Sequence, residues 1–222
     1  MTKSRLLFTA GRRLGMTVTL LSMFVVFRPM KAAEITVTIT GTLEGGGDSF
    51  PIFDVGKSLD GKPFTLVYTF DDAKGLASPI AGCKGAASGI EGDGPNSPAT
   101  AVLTVGTKSY TFGLGKNAHS AIWREIASPC SESQIAVEIH EGKDPFSQGV
   151  SVRIKPGEGK RSLTQNPDWR APLASQDMDP LTFGSAFVIC RVGDFYHQAK
   201  AGFFVKSVAV SGATQTAFKG SR

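Results

Sequence analysis

Glu125 and Glu138 stand in two stretches of the chain that suit acid–base chemistry. In HSAIWREI (119–126) Glu125 alternates onto the face of Trp123, and in QIAVEIH (134–140) Glu138 shares a face with His140, opposite Ile135, Val137 and Ile139. Were both faces to line one concave sheet, an acid and a carboxylate would flank a glycosidic bond, as glycoside hydrolysis requires. A solvated outer face accounts for the same alternation with fewer assumptions, so no catalytic residue is assigned, and Trp123 is expected in the core. Nucleophilic catalysis has less to stand on. The chain has no GxSxG elbow and no cysteine beside a base, and His119, His140 and His197 fall in separate runs as half-exposed strand residues.

Hard oxygen ligands gather between residues 47 and 75, GDSFPIFDVGKSLDGKPFTLVYTFDDAKG. Asp48, Asp54, Asp71 and Asp72, with Asp60 between them, lie in loops at both ends of one β run, where a structural calcium ion could be held. Their spacing is not that of an EF-hand, and Asp and Gly also start and end turns, as in Leu59-Asp60-Gly61-Lys62. A second candidate is Trp169, in the polar loop NPDWRAP with Asp168 and Arg170 beside it. A loop tryptophan either plugs the end of a sandwich or stacks on a sugar face with its neighbours hydrogen-bonding. Trp169, Asp168 and Arg170 are therefore the ligand-binding candidates. Of the three cysteines, Cys83 and Cys130 sit in turn-like surroundings while Cys190 closes the apolar run FGSAFVIC. The simplest pairing is a Cys83–Cys130 disulfide with Cys190 buried as a small hydrophobe, although the other two pairings remain open. No zinc-ligand spacing occurs.

The elements that must position these residues are strands. β-Branched and aromatic residues recur in short runs separated by Gly, Pro, Asn, Asp and Ser, and helical periodicity is hard to find after the first thirty-three residues. ITVTITG (35–41) and PFTLVYTF (63–70) alternate cleanly, one face for a core and one for water. TAVLTVGTKSYTF (100–112) predicts a hairpin with a two-residue II′ turn at Gly106-Thr107, which sets Val105 against Lys108, Leu103 against Tyr110 and Ala101 against Phe112. Further strands are predicted at 119–126, 134–140, 149–154, 181–190 and 202–211. About nine mostly antiparallel strands point to an all-β fold, a β-sandwich or jelly roll. Residues 71–99 and 156–180 are Gly, Pro and Ser-rich and resist placement. Loops of such length are uncommon in a compact domain, so short strands or turns are expected inside them.

Residues 1–33 carry Lys3, Arg5, Arg12, Arg13, Arg28 and Lys31 and no acid, with an apolar run from Leu14 to Phe27 and then Ala32 and Ala33. That layout is a secretory signal peptide, its apolar run too short for a bilayer, which takes about twenty residues. The remaining residues, 34–222, suffice for one domain with one sizeable core. Removing six of the 24 basic residues and none of the 19 acidic ones leaves 18 against 19, a net charge near −1. Without a broad basic footprint, nucleic-acid binding loses its main support. An exported chain also lives where disulfides persist.

ITVTITGTLEGGGDSFPIF, KSLDGKPFTLVYTFD and AGFFVKSVAVSG together resemble the secreted bacterial β-rich proteins found as exosortase (PEP-CTERM) cargo. Leu59, Gly61 and Phe64, followed by Asp71, match the "L-x-G-x-x-F" approach to a second strand, and Ala201 and Gly202 match the closing strand. The resemblance covers about a third of the chain, and AFKGSR at its end lacks the Pro-Glu-Pro motif of such cargo. It implies a β-sandwich exported from a Gram-negative cell, periplasmic or secreted, and lends no activity. The expected function is non-enzymatic binding of a polysaccharide or a cell-surface protein through loops at 48–54 and 166–170. A matrix protein without a small ligand and a glycan-active hydrolase or lyase are the alternatives.

Overall fold

Ile35, Val37 and Ile39 are fully buried while Thr36, Thr38 and Thr40 between them are not, so the first run is a strand with one face in a core. In the computed structural model, which describes residues 34–49, 51–53, 58–78, 87–127, 133–143, 146–156, 163–177, 183–192 and 195–211, it opens a sequence of twelve strands. These are β1 (Glu34–Asp48), β2 (Pro63–Asp71), β3 (Leu76–Ala77), β4 (Ala87–Asp93), β5 (Ala99–Val105), β6 (Lys108–Phe112), β7 (His119–Glu125), β8 (Gln134–Lys143), β9 (Phe146–Ile154), β10 (Leu173–Asp177), β11 (Phe183–Val192) and β12 (Phe195–Ser211). Among the described residues the helical content is one 3₁₀ turn, Gly94–Asn96.

All twelve strands join one antiparallel sheet in the order β3-β4-β7-β8-β9-β11-β12-β1-β2-β5-β6, with β10 also on β12. The sheet curls until its two arms face one another, β5 against β7 and β8, and β6 against β8 and β9. Hydrogen bonds tie the arms together: Ala99 N–H donates to Ser120 Oγ at 3.0 Å, and the Tyr110 hydroxyl donates to Gln148 Oε1 at 2.6 Å. The result is an all-β sandwich whose two layers are continuous through β12 and β1. The chain forms more strands than the nine expected, because β3, β4 and β10 lie inside the two stretches that sequence could not place.

Direct cross-strand partners share a face, so the register gives the core row by row. One row runs Val208–Ile39–Leu66–Leu103–Tyr110 and another Ile90–Ile122–Val137–Val152–Gly184–Phe203–Leu43. Phe64 on β2 stacks on Phe203 on β12 at 4.6 Å between ring centroids, spanning the β1 strand between them. The predicted hairpin forms in the predicted register, with Gly106 at φ 62 in its turn, a value that disfavours any residue with a side chain. Both sheet edges are short strands, β3 and β6, which limits pairing with other chains.

One inward position breaks the apolar pattern. Arg124 pairs with Ile135 on β8 and Ser88 on β4, so it faces the core, where it is 1% exposed and Nε, Nη1 and Nη2 all lack a hydrogen-bond partner among the described residues. Burial lowers its pKa, and the charge of Asp168 partly opposes that shift. The Tyr68 hydroxyl is likewise buried without a partner among the described residues, and burial, then the Glu138 charge, push its pKa well up.

Candidate functional site

The parity that turns Ile122 and Arg124 inward turns His119, Ala121, Trp123 and Glu125 outward. Trp123 is thus on the outer face, half-buried, and not in the core as expected. HSAIWREI carries apolar residues on both parities, and pairing of Ile122 with Val137 decides which set faces in.

Three outer rows then cross the sheet. From β7 to β12 the middle row reads Ala121–Glu138–Ser151–Ser185–Gly202, small side chains around one carboxylate, and it continues to exposed Glu91 on β4 and exposed Glu44 on β1. On one side stand Trp123, Ala136 and Arg153, with exposed Phe204 further along. On the other stand His119, His140, Gly149, Phe187 and Lys200. Small residues between larger ones make a groove. One hollow is lined by Trp123, Glu138, Ser151, Arg153 and Ser185, and the next by Ser185, Phe187, Gln198, Lys200 and Gly202, with Ser185 common to both. At about 4.8 Å per strand, the four spacings from β7 to β12 make the groove about 19 Å long, and flanking rows four residues apart set its walls about 13 Å apart at Cα.

Two of the three histidines that look scattered in sequence meet here. His119 and His140 are direct cross-strand partners, and Glu138 reaches both, Oε1 lying 3.6 Å from His119 Nε2 and Oε2 3.7 Å from His140 Nε2. His119 Nδ1 is 2.9 Å from Asp93 Oδ1, which aims its Nε2 at Glu138. The polar contact with His140 first, and then the charge of both imidazoles, hold the Glu138 carboxyl below the usual carboxylate range, against a burial that acts upward. Gly149 makes room for this arrangement. A Cβ there would come within 2.7 Å of His140 Nδ1 and 2.8 Å of the Phe187 ring, whose centroid is 6.4 Å from that of His140. A scan for mixed His and Glu on facing strands would find this cluster only once the β7–β8 register were known.

The remaining expected site residues lie elsewhere. Trp169 is 1% exposed and edge-on to Phe70 at 5.8 Å, so its ring closes the sandwich and has no face free for a sugar. Asp168 and Arg170 serve that closure. Arg170 lies over the indole at 4.7 Å and contacts Asp72 Oδ2 at 3.3 Å and Asp168 Oδ1 at 3.8 Å, while Ser88 Oγ accepts the Trp169 backbone N–H at 2.9 Å. Asp48 accepts the N–H groups of Ile52 and Phe53, Asp60 accepts from Gly45, and Asp71 accepts from Ala73, each stabilising a turn. Glu34 at one end of β1 pairs with Asp71 while Asp48 is the other end, so roughly 45 Å of strand separates these carboxylates and they cannot share one ion. Among the described residues no group of three such donors is placed to hold a metal ion. Asp54, Cys83 and Cys130 fall outside the described residues, as does the side chain of Cys190.

Glu125 and Glu138 share the outer face but do not converge. Glu125 pairs with Gln134, four residues along β8 from Glu138, or about 13 Å, with the Trp123–Ala136 pair between them. Retaining and inverting glycosidases hold their carboxyls roughly 5 to 9.5 Å apart. Glu125 is instead buried, its Oε2 accepting from Gln134 Nε2 at 2.9 Å. Comparison with known proteins returns no matching family model, no matching curated protein and no matching solved structure.

Proposed function

We propose that this is an exported, non-enzymatic β-sandwich that binds a polysaccharide along the outer groove between Trp123 and Lys200. The observation that carries the reading is the groove itself: aromatic rings, Trp123 and Phe187, on opposite walls of a floor of Ala121, Ser151, Ser185 and Gly202. Sugar rings present apolar faces and hydroxyl edges, so they are matched by aromatic side chains beside a few placed polar groups. A groove open along its length suits a chain better than a compact metabolite. Cleavage is disfavoured because, among the described residues, Glu138 is the one carboxylate lining the two hollows, and glycosidic hydrolysis ordinarily uses two. Export is supported by the leader-like composition of residues 1–33.

A glycan array probed with the protein and with Trp123→Ala tests the reading. Binding to extended polysaccharides that weakens about 30-fold in the variant, the loss of one hot-spot aromatic of about 2 kcal/mol, is expected. Undiminished binding by Trp123→Ala would move the site off the groove.

A further inference from the structure

Cations are the least committed groups in the groove. Arg153 projects from β9 on the Trp123 side, and Lys200 from β12 on the Phe187 side; both are exposed and make no ion pair or hydrogen bond among the described residues. Arg170, by contrast, is held by Asp72 and Asp168. The carboxylate on the floor, Glu138, is engaged by His119 and His140 of one wall. Between Ala121 and Gly202 the two hollows therefore hold two cations without partners among the described residues against one engaged carboxylate, while exposed Glu91 and Glu44 continue the floor row beyond each end.

We infer that the groove takes an acidic polysaccharide, a chain whose sugar rings bear carboxylates, with Arg153 and Lys200 each pairing one of them while Trp123 and Phe187 pack against ring faces. The inference rests on the polysaccharide reading above and names its substrate class. Two strand spacings and four residues separate the Cα atoms of Arg153 and Lys200, about 16 Å on a diagonal across the groove. A single small carboxylate cannot reach both, whereas an extended chain with charged groups on both its edges can. Serine hydroxyls at Ser151 and Ser185 lie between the two cations, where they can hydrogen-bond the ring hydroxyls of the same chain. Arg153 can grip a carboxylate with two parallel N–H groups, which favours that planar anion, and Lys200 adds a point charge. Two contacts, not a basic surface, distinguish such a site from one that collects any polyanion.

Polygalacturonate and its fully methyl-esterified form share one backbone and differ in charge, so they are the probes. Isothermal titration of the protein is expected to show polygalacturonate bound at least tenfold tighter than the ester, with Arg153→Gln and Lys200→Gln each losing about tenfold, the scale of one charge-assisted contact. Both side chains are exposed, so unchanged urea midpoints are expected for the variants. Equal binding of acid and ester, lost together in Trp123→Ala, would overturn the charge inference and leave the polysaccharide reading standing. Binding of neither, with a neutral glucan bound in a Trp123-dependent way, would do the same. No glycan bound at all would overturn both. Dextran sulfate bound as tightly by Trp123→Ala as by the unaltered protein, and as tightly as polygalacturonate, would show bare polyanion attraction and also refute the inference.

Discussion

Replacing Arg124 by methionine should stabilise the fold. The guanidinium is 1% exposed on an inward position of β7, and its three nitrogens have no hydrogen-bond partner among the described residues. Each unsatisfied buried donor costs about 1–3 kcal/mol, and exchange of buried charged groups for apolar ones of similar volume has gained about 1–4 kcal/mol elsewhere. Asp168 returns part of the cost through its charge, as its upward influence on the Arg124 pKa indicates. Methionine keeps a long unbranched stem, which limits any cavity. Taking the middle of those ranges, Arg124→Met should gain about 2 kcal/mol, or about 4–8 °C in Tm for a domain of this size. Urea unfolding at pH 7 followed by tryptophan fluorescence measures it, with the slope unchanged, and Arg124→Lys, which retains a buried charge, serves as the control. A loss of more than about 1 kcal/mol in Arg124→Met would refute the reasoning, because it would mean that the guanidinium is satisfied inside the folded protein.

The outer face and the sandwich end should separate under mutation. Trp169→Ala should cost about 3–5 kcal/mol of stability, as removal of a buried aromatic does, while Trp123→Ala should change stability little and abolish most glycan binding, measured by urea melts and titration side by side. Glu138 supplies a pH signature. Its folded pKa lies below the unfolded value of about 4.3, so its stabilisation is complete above that pH and is lost as pH falls through the lower folded value; the stability difference between the protein and Glu138→Gln should therefore shrink in melts between about pH 5 and 3. Gly149→Ala should cost about 1–3 kcal/mol by displacing the His140 and Phe187 rings, and groove binding should fall with it, whereas the same stability loss with intact binding would separate Gly149 from the groove.

Strands whose alternation is strict were legible from sequence. Ile35-Val37-Ile39 and Phe64-Leu66-Tyr68-Phe70 set their own faces, and the Gly106-Thr107 hairpin set its pairing as well. Strands made of small residues were not, since β4, ASGIEGD, has one strong β-former and gains its place by fitting against β7. The site was hidden for a related reason. Polar and aromatic residues stand out in loops, yet Trp169, Asp168 and Arg170 fasten the end of the sandwich. The groove draws Trp123, Glu138, Ser151, Ser185 and Lys200 from five strands, and no local pattern says that they share a row. That information lives in the strand order, where β9 pairs β11 and β11 pairs β12. The Glu138 and His140 alternation was read correctly as an outer face, but its partner His119 required the β7–β8 register.

The most direct test of where ligand binds uses the two tryptophans that the chain contains, Trp123 and Trp169. In a ¹⁵N NMR titration with polygalacturonate, the indole N–H of Trp123 should shift progressively while that of Trp169, sealed behind Phe70, stays in place. Movement of the Trp169 signal with Trp123 unmoved would put the ligand at the sandwich end and contradict the account.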